Sequence, residues 1–261
     1  MIGFRKKARN SEYTTRTFPL SGGKTVYFAK RLVNKNCNFT ISDEVIDSFR
    51  EYISEGDFCI DIGASRGDST LPMAIAAGTT GCALAIEPNR YVYHALERNA
   101  RSNRHLCNIQ SIMAAASDQE GFLTFNYSDP AFINGGEHRG ISKLKHGHMY
   151  KLEVFAIDLA KELEECYSDW LPKLKFIKVD AEGNDLHILK SLESIIRTYK
   201  PALKCEVFKR TSAEYRQELI HFLGDLGYSA RRIINEPIEP GPELNPKNMS
   251  EFRHFDILAV A

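Results

Sequence analysis

Residues 58–68, Phe-Cys-Ile-Asp-Ile-Gly-Ala-Ser-Arg-Gly-Asp, constrain this chain more than any other stretch. A short apolar run carries an acid near its end, turns at a glycine and opens into an apolar helical pattern over 69–77. A strand that feeds a helix through such a turn aims backbone N–H groups at whatever lies above the sheet. Gly63 permits the sharp turn, and Gly67 permits close approach by a ligand or by the next helix. The stretch predicts a nucleotide-like cofactor at the end of a parallel strand.

Its spacing argues against a dinucleotide. A G-x-G-x-x-G fingerprint read from Gly63 needs glycine at positions 65 and 68, where Ser65 and Asp68 stand. A carboxylate at Asp61 would also repel a pyrophosphate. S-adenosylmethionine has the opposite needs, because its methionine end carries an ammonium and its sulfur is a cation. The D-x-G-x-x-x-G pattern suits it: Asp61 is expected to attract the ammonium, and the turn amides to hold the carboxylate.

The rest of the chain supplies more acids of the same kind. Cys82–Ile86 reads as a second buried strand, tipped by Glu87-Pro88-Asn89. An acid there is placed to accept the two ribose hydroxyls of an adenosine, and Asn89 to cap the helix that follows. A third strand over 109–113 leads to Ala114-Ala115-Ala116-Ser117-Asp118. The small residues leave room for a flat base, with Ser117 or Asp118 at its amino edge. Lys175–Asp180 is a fourth strand, with Lys178 and Asp180 on one face by two-residue alternation. Pro201–Val207 is a fifth, carrying Glu206 at its tip.

Helices are predicted at 43–55, 69–77, 90–103, 186–196 and 212–226, and closing strands at 229–234 and 255–260. Outside this alternation, Thr25–Phe28 reads as a short strand, and 122–127 pairs with 152–157. Strands alternating with helices predict an α/β chain with a mostly parallel, seven-stranded sheet covered on both faces. Residues 1–40 read as a basic tail, mobile to about residue 16, with a small strand extension. Residues 41–261 read as one domain. The Gly-, His- and Asn-rich segment 128–150 reads as a lid, and the proline-rich segment 237–250 as an irregular loop. His138, His146 and His148 lie in the lid; without a paired acid at ligand spacing they predict no metal site.

Composition narrows the partners. Lys+Arg and Asp+Glu both number 34, a formal net charge of +0, so no global field draws the chain to nucleic acid. The six cysteines are scattered without a C-x-x-C pair, and no apolar stretch is long enough to span a bilayer. A cytoplasmic setting is the simplest expectation.

Asp61-Ile62-Gly63-Ala64 with Gly67, Glu87-Pro88-Asn89, Ala115–Asp118 with Gly121, Ile177–Gly183 and Pro201–Glu206 together resemble the FkbM family of methyltransferases. The likeness runs in order over roughly residues 40–230, and its K-x-D-x-E-G element is the most specific part. It implies a class I, Rossmann-like fold and S-adenosylmethionine as methyl donor. It also implies O-methylation of a sugar, polyketide or similar small hydroxyl compound. Ser65-Arg66 and Asn184-Asp185 depart from the family pattern. The cofactor residues it implies are Asp61, Gly63, Ala64, Ser65, Gly67, Glu87, Asn89, Ala116, Ser117, Asp118 and Asp180. Asp180 is the expected base, with Lys178 orienting it and Glu206 the next candidate. The competing functions are a methyltransferase for nucleic acid or protein, and a catalytically silent cofactor-binding module.

Overall fold

The computed structural model describes residues 13–31, 39–127, 135–136, 150–235 and 238–261. Its elements alternate as the patterning predicts. A hairpin of β1 (Tyr13–Pro19) and β2 (Thr25–Arg31) precedes α1 (Asp43–Arg50), β3 (Phe58–Ile62), α2 (Thr70–Ala77), β4 (Cys82–Ile86), α3 (Arg90–Ser102) and β5 (Ile109–Ile112). Four strands follow, β6 (Ala115–Ser117), β7 (Gly121–Tyr127), β8 (Gly135–Gly136) and β9 (Tyr150–Asp158), then α4 (Leu159–Cys166). The second half runs β10 (Leu174–Val179), α5 (Asp185–Ser191), α6 (Glu193–Tyr199), β11 (Ala202–Val207), α7 (Ala213–Asp225), β12 (Ser229–Asn235), β13 (Glu239–Glu243) and β14 (Phe255–Val260).

The main sheet has eight strands in the order β13-β12-β14-β11-β10-β3-β4-β5. β5, β4, β3, β10 and β11 are parallel; β14, β12 and β13 add antiparallel at one end. Strand order reverses between β3 and β10, and ligands in open α/β sheets sit above such a switch point. Every residue of β3 and β4 is buried, as central strands covered on both faces require. One face packs against α4–α7 through Ile60, Ile177, Val179 and Leu203. Cys59 and Phe176, on the other face, pack with α1 and α2. By alternation Asp61 and Lys178 point to this second side.

Local chemistry accounts for most boundaries. Ser42 accepts from the Val45 amide and Asn89 from the Tyr91 amide, capping α1 and α3. The structure departs from the sequence reading in five places. The eighth strand, β13, lies in the stretch read as loop; it is an edge strand, where Pro240 and Pro242 are tolerated because one side needs no ladder donor. The helix expected over 186–196 is two helices, broken at Leu192 with φ −98° and ψ 10°. Residues 13–16, read as tail, are strand, paired with 28–31. β6 and α4 complete the list. Asn99 on α3 and Asn103 just past its end fasten the hairpin by accepting the amides of Ala29 and Tyr27. The expected lid falls outside the described residues except for β8 and Tyr150, and its three histidines lie there too.

Arg216 on α7 secures the chain that leads into β14. Its buried guanidinium donates to the carbonyls of Met249, Phe252, Arg253 and Phe208 and to Thr211 Oγ1. It thereby fixes the approach to β14 against the exit of β11. Arg216→Met removes the donors and leaves buried carbonyls unpaired, so unfolding free energy should fall by about 2–4 kcal/mol. Urea unfolding checks this; a loss under about 1 kcal/mol would show that those carbonyls find other donors.

Candidate active site

A cleft of about 760 Å³ opens over the carboxyl ends of β3, β4 and β10. Ile62, Gly63, Ser65 and Asp68 come to it from the turn after β3, Glu87 and Asn89 from the tip of β4, and Ala114–Asp118 from β6 and its flanks. The turn after β10 contributes Asp180, Ala181, Glu182 and Asn184, and α5 adds His187 and Ile188.

Two contacts between backbones fix the cleft floor. The Asp180 amide donates to the Ile62 carbonyl at 2.9 Å. A Cβ at Gly63 would stand 2.0 Å from the Asp180 carbonyl oxygen, and Gly63 has φ +79°, so no other residue fits without moving β10. At Gly67 a Cβ would meet Leu96 of α3 at 2.9 Å, so the glycine admits that helix. Ala64, also expected at the cofactor, is buried against Ala85 and Leu96.

Glu87 ties the first turn to the second strand. Its two oxygens accept the amides of Ser65 and Asn89, each at 2.7 Å. Ser65 takes φ +49°, an uncommon conformation for a residue with a Cβ, and the Glu87 bond holds it there. Burial pushes the Glu87 carboxyl up to about 7, against the pull of the two amides.

The four strand-tip acids do not form one wall. Glu87 and Asp180 reach the cleft; Asp61 and Glu206 do not. Asp61 is wholly buried, accepting from Thr70 Oγ1 at 2.6 Å and from Lys178 Nζ at 3.3 Å. Asp61, expected at the cofactor's ammonium, thus does not line the cleft: β3 continues to Ile62, which leaves Asp61 one residue below the tip and turned toward α2. Lys178 is also buried, and its Nζ lies 3.3 Å from Asp180 Oδ2. Burial alone would lower the Lys178 pKa, but Asp61, Asp180, Asp68 and Asp256 outweigh it and hold the ammonium charged. Asp180 keeps 45% of its side chain exposed, resting on this cation from above.

Glu206 stands beside the cleft, with Oε1 3.0 Å from His254 Nε2 and Oε2 without a hydrogen-bond partner among the described residues. Burial and the acids Asp180, Asp185, Glu182 and Asp256 push it up to about 9, which disfavours its ionised form. Asp185, also fully buried, receives the amides of Ala181, Gly183 and Glu206 and so shapes the turn under Asp180. Glu182 takes φ +53° in that turn.

Sequence reasoning passed over Asp68, Asn184 and His187, all of which line the cleft. His187 Nε2 lies 3.4 Å from Asp118 Oδ1, closing one side between α5 and β6. A histidine inside the apolar run Leu186–Ile188 was the available signal. Among the described residues no group of three or more His, Cys, Asp and Glu is arranged to hold a metal ion, and no helix is long and apolar enough to cross a membrane.

A family model described as the methyltransferase FkbM domain matches residues 61–230, which run from Asp61 at the organising turn to β12. The chain belongs to the FkbM methyltransferase family. Its cofactor is accordingly S-adenosylmethionine. Similar solved structures include a methyltransferase FkbM from Methylobacillus flagellatus KT, at 13% identity and TM-score 0.47 over 83% of this chain and 50% of that one. A SAM-dependent O-methyltransferase from Thermotoga maritima shows 12% identity and TM-score 0.44 over 94% and 77% of the two chains. Fibrillarin from Aeropyrum pernix, with natively bound S-adenosyl-L-methionine, shows 13% identity and TM-score 0.43 over 96% and 100%. This FkbM chain therefore spans half the length of the Methylobacillus protein. No curated protein sequence matches it.

The residues present fit the FkbM cofactor. The cleft offers a carboxylate at Glu87, a strip of small residues at Ala114–Ala116 and further acids at Asp68 and Asp180, which suits a polar, cationic adenosine. Hydroxyl donors bind an ionised Glu87 more strongly than a protonated one, and burial raises its carboxyl to about 7. Cofactor affinity should therefore tighten as pH rises toward 7, by up to about tenfold per unit, and level off above. Glu87→Gln should flatten the profile. Calorimetry across pH 5.5–8 reads it; an equally steep slope in the variant would place the titrating group elsewhere.

Proposed function

We propose that this chain transfers the methyl group to a hydroxyl of a sugar or another small metabolite, with Asp180 receiving or orienting the hydroxyl proton. The observation that carries the reading is the setting of Asp180. Of the three catalytic candidates it alone lines the cleft, and Lys178 supports its carboxylate from beneath at 3.3 Å. Lys178 is buried and acts through Asp180, which makes it a positioning residue.

The remaining cofactor residues divide by chemistry. Glu87 takes the ribose hydroxyls, with Asn89 beside it. Ala116, Ser117 and Asp118 receive the adenine, and Gly63 and Ser65 flank the methionine end. When bound, S-adenosylmethionine supplies an electrophilic methyl group on a positively charged sulfur. The chain's own part is to hold the acceptor oxygen in line and to exclude water. A hydroxyl becomes an effective nucleophile once its proton has somewhere to go, and an ionised carboxylate beside it provides that place. Residues 41–261 form the catalytic domain in this reading, preceded by the hairpin of β1 and β2. The formal net charge of +0 supports a small acceptor over nucleic acid, and a cytoplasmic setting completes the proposal.

Asp180→Asn keeps the shape and removes the base. Methyl transfer to a panel of hydroxylated acceptors, followed with labelled S-adenosylmethionine, should fall by about 10²–10⁴-fold. Cofactor affinity should change far less than the rate, since Glu87 and the other cleft residues hold most of the ligand. Affinity lost in parallel with rate would make Asp180 a cofactor ligand instead.

A further inference from the structure

Two acids flank the glycine turn, and the structure gives them different neighbours. Asp61 has both oxygens committed, one to Thr70 and one to Lys178, and no surface exposed. Asp68, at the entry to α2, lines the cleft and is half-buried. Among the described residues it forms no ion pair and no hydrogen bond to another residue. Its carboxylate is approached by its own backbone amide, while Arg66 and Lys178 act on it at longer range.

We propose that Asp68 is the anchor for the ammonium of the cofactor's methionine end, the role that the sequence assigns to Asp61. Three observations carry this. First, the acid must reach the ligand, and of these two only Asp68 does. Second, the nearest buried cation is already shared: Lys178 lies 3.3 Å from both Asp61 and Asp180, so Asp68 is the acid in this group without a close counter-charge. Third, Asp68 stands beside Ser65 on the same turn, whose conformation the Glu87 bond fixes, so its backbone is preorganised. A half-buried carboxylate beside a primary ammonium forms a charge-assisted hydrogen bond, stronger than a neutral pair. Burial raises the Asp68 pKa, as expected of an acid that awaits a cation.

The assignment rests on S-adenosylmethionine being the cofactor, and the test separates the two. Calorimetry should compare S-adenosylhomocysteine, which keeps the amino-acid end, with 5′-methylthioadenosine, which lacks it. Asp68→Asn should weaken S-adenosylhomocysteine at least tenfold and leave methylthioadenosine within twofold, and Asp68→Glu should recover part of the loss. Unchanged homocysteine-ligand affinity would overturn the proposal. So would a parallel loss of both ligands, because that marks a structural role for the turn. Weakening of S-adenosylhomocysteine by Asp180→Asn but not by Asp68→Asn would move the ammonium to Asp180 and overturn it too. Failure of the unaltered chain to bind either ligand would overturn the cofactor itself, and this assignment with it.

Discussion

The ammonium of Lys178, buried between Asp61 and Asp180, is the interaction on which the site depends. A lysine desolvated in a sheet interior is costly unless its charge is matched, and removal of one partner leaves the other charge stranded. Here the matching acids come from different parts of the chain. Asp61 belongs to β3 and is itself bonded to Thr70 at the start of α2, while Asp180 leaves the tip of β10. The charge network therefore ties the cofactor turn, its helix and the acceptor-side acid into one unit. The backbone follows the same path, since Asp180 bonds to Ile62 and its carbonyl presses on Gly63.

Acids at one sheet edge do separate jobs according to depth. Asp61 at the bottom is structural ballast for Lys178. Asp185 is equally buried and organises the turn that presents Asp180, and its carboxyl is pushed up to about 7 chiefly by burial. Glu87 is bonded to two amides yet still faces the cleft, so it can both shape the turn and meet a ligand. Only Asp68, Glu182 and Asp180 combine a carboxylate with cleft access on the turns after β3 and β10. The Glu206–His254 pair lies outside that set, next to the segment secured by Arg216.

Much of this was legible in the sequence, for identifiable reasons. The central strands are continuous apolar runs, and Ser42, Asn89 and Ser212 announce the helices they cap. The K-x-D-x-E-G element marked Lys178 and Asp180 by residue type and spacing. Side-chain depth was harder, because a strand tip is defined by where pairing stops and not by where an acid falls. Asp61 looked terminal but is followed by paired Ile62, and Asp68 stood out only as the residue that breaks a dinucleotide fingerprint. Gly67 faces a leucine on a helix 29 residues further along the chain, which no local pattern reveals. β13 escaped notice because prolines at 240 and 242 count against strand in isolation yet are harmless at an edge.

A double-mutant cycle between Asp61 and Lys178 tests the account most directly. Lys178→Met leaves Asp61 buried without a counter-charge, and unfolding free energy should fall by about 3–5 kcal/mol. Asp61→Asn combined with Lys178→Met removes both charges and should recover at least half of that loss, giving a coupling energy of about 2 kcal/mol or more. Additive losses, with no recovery in the double variant, would contradict the central place given to this buried charge.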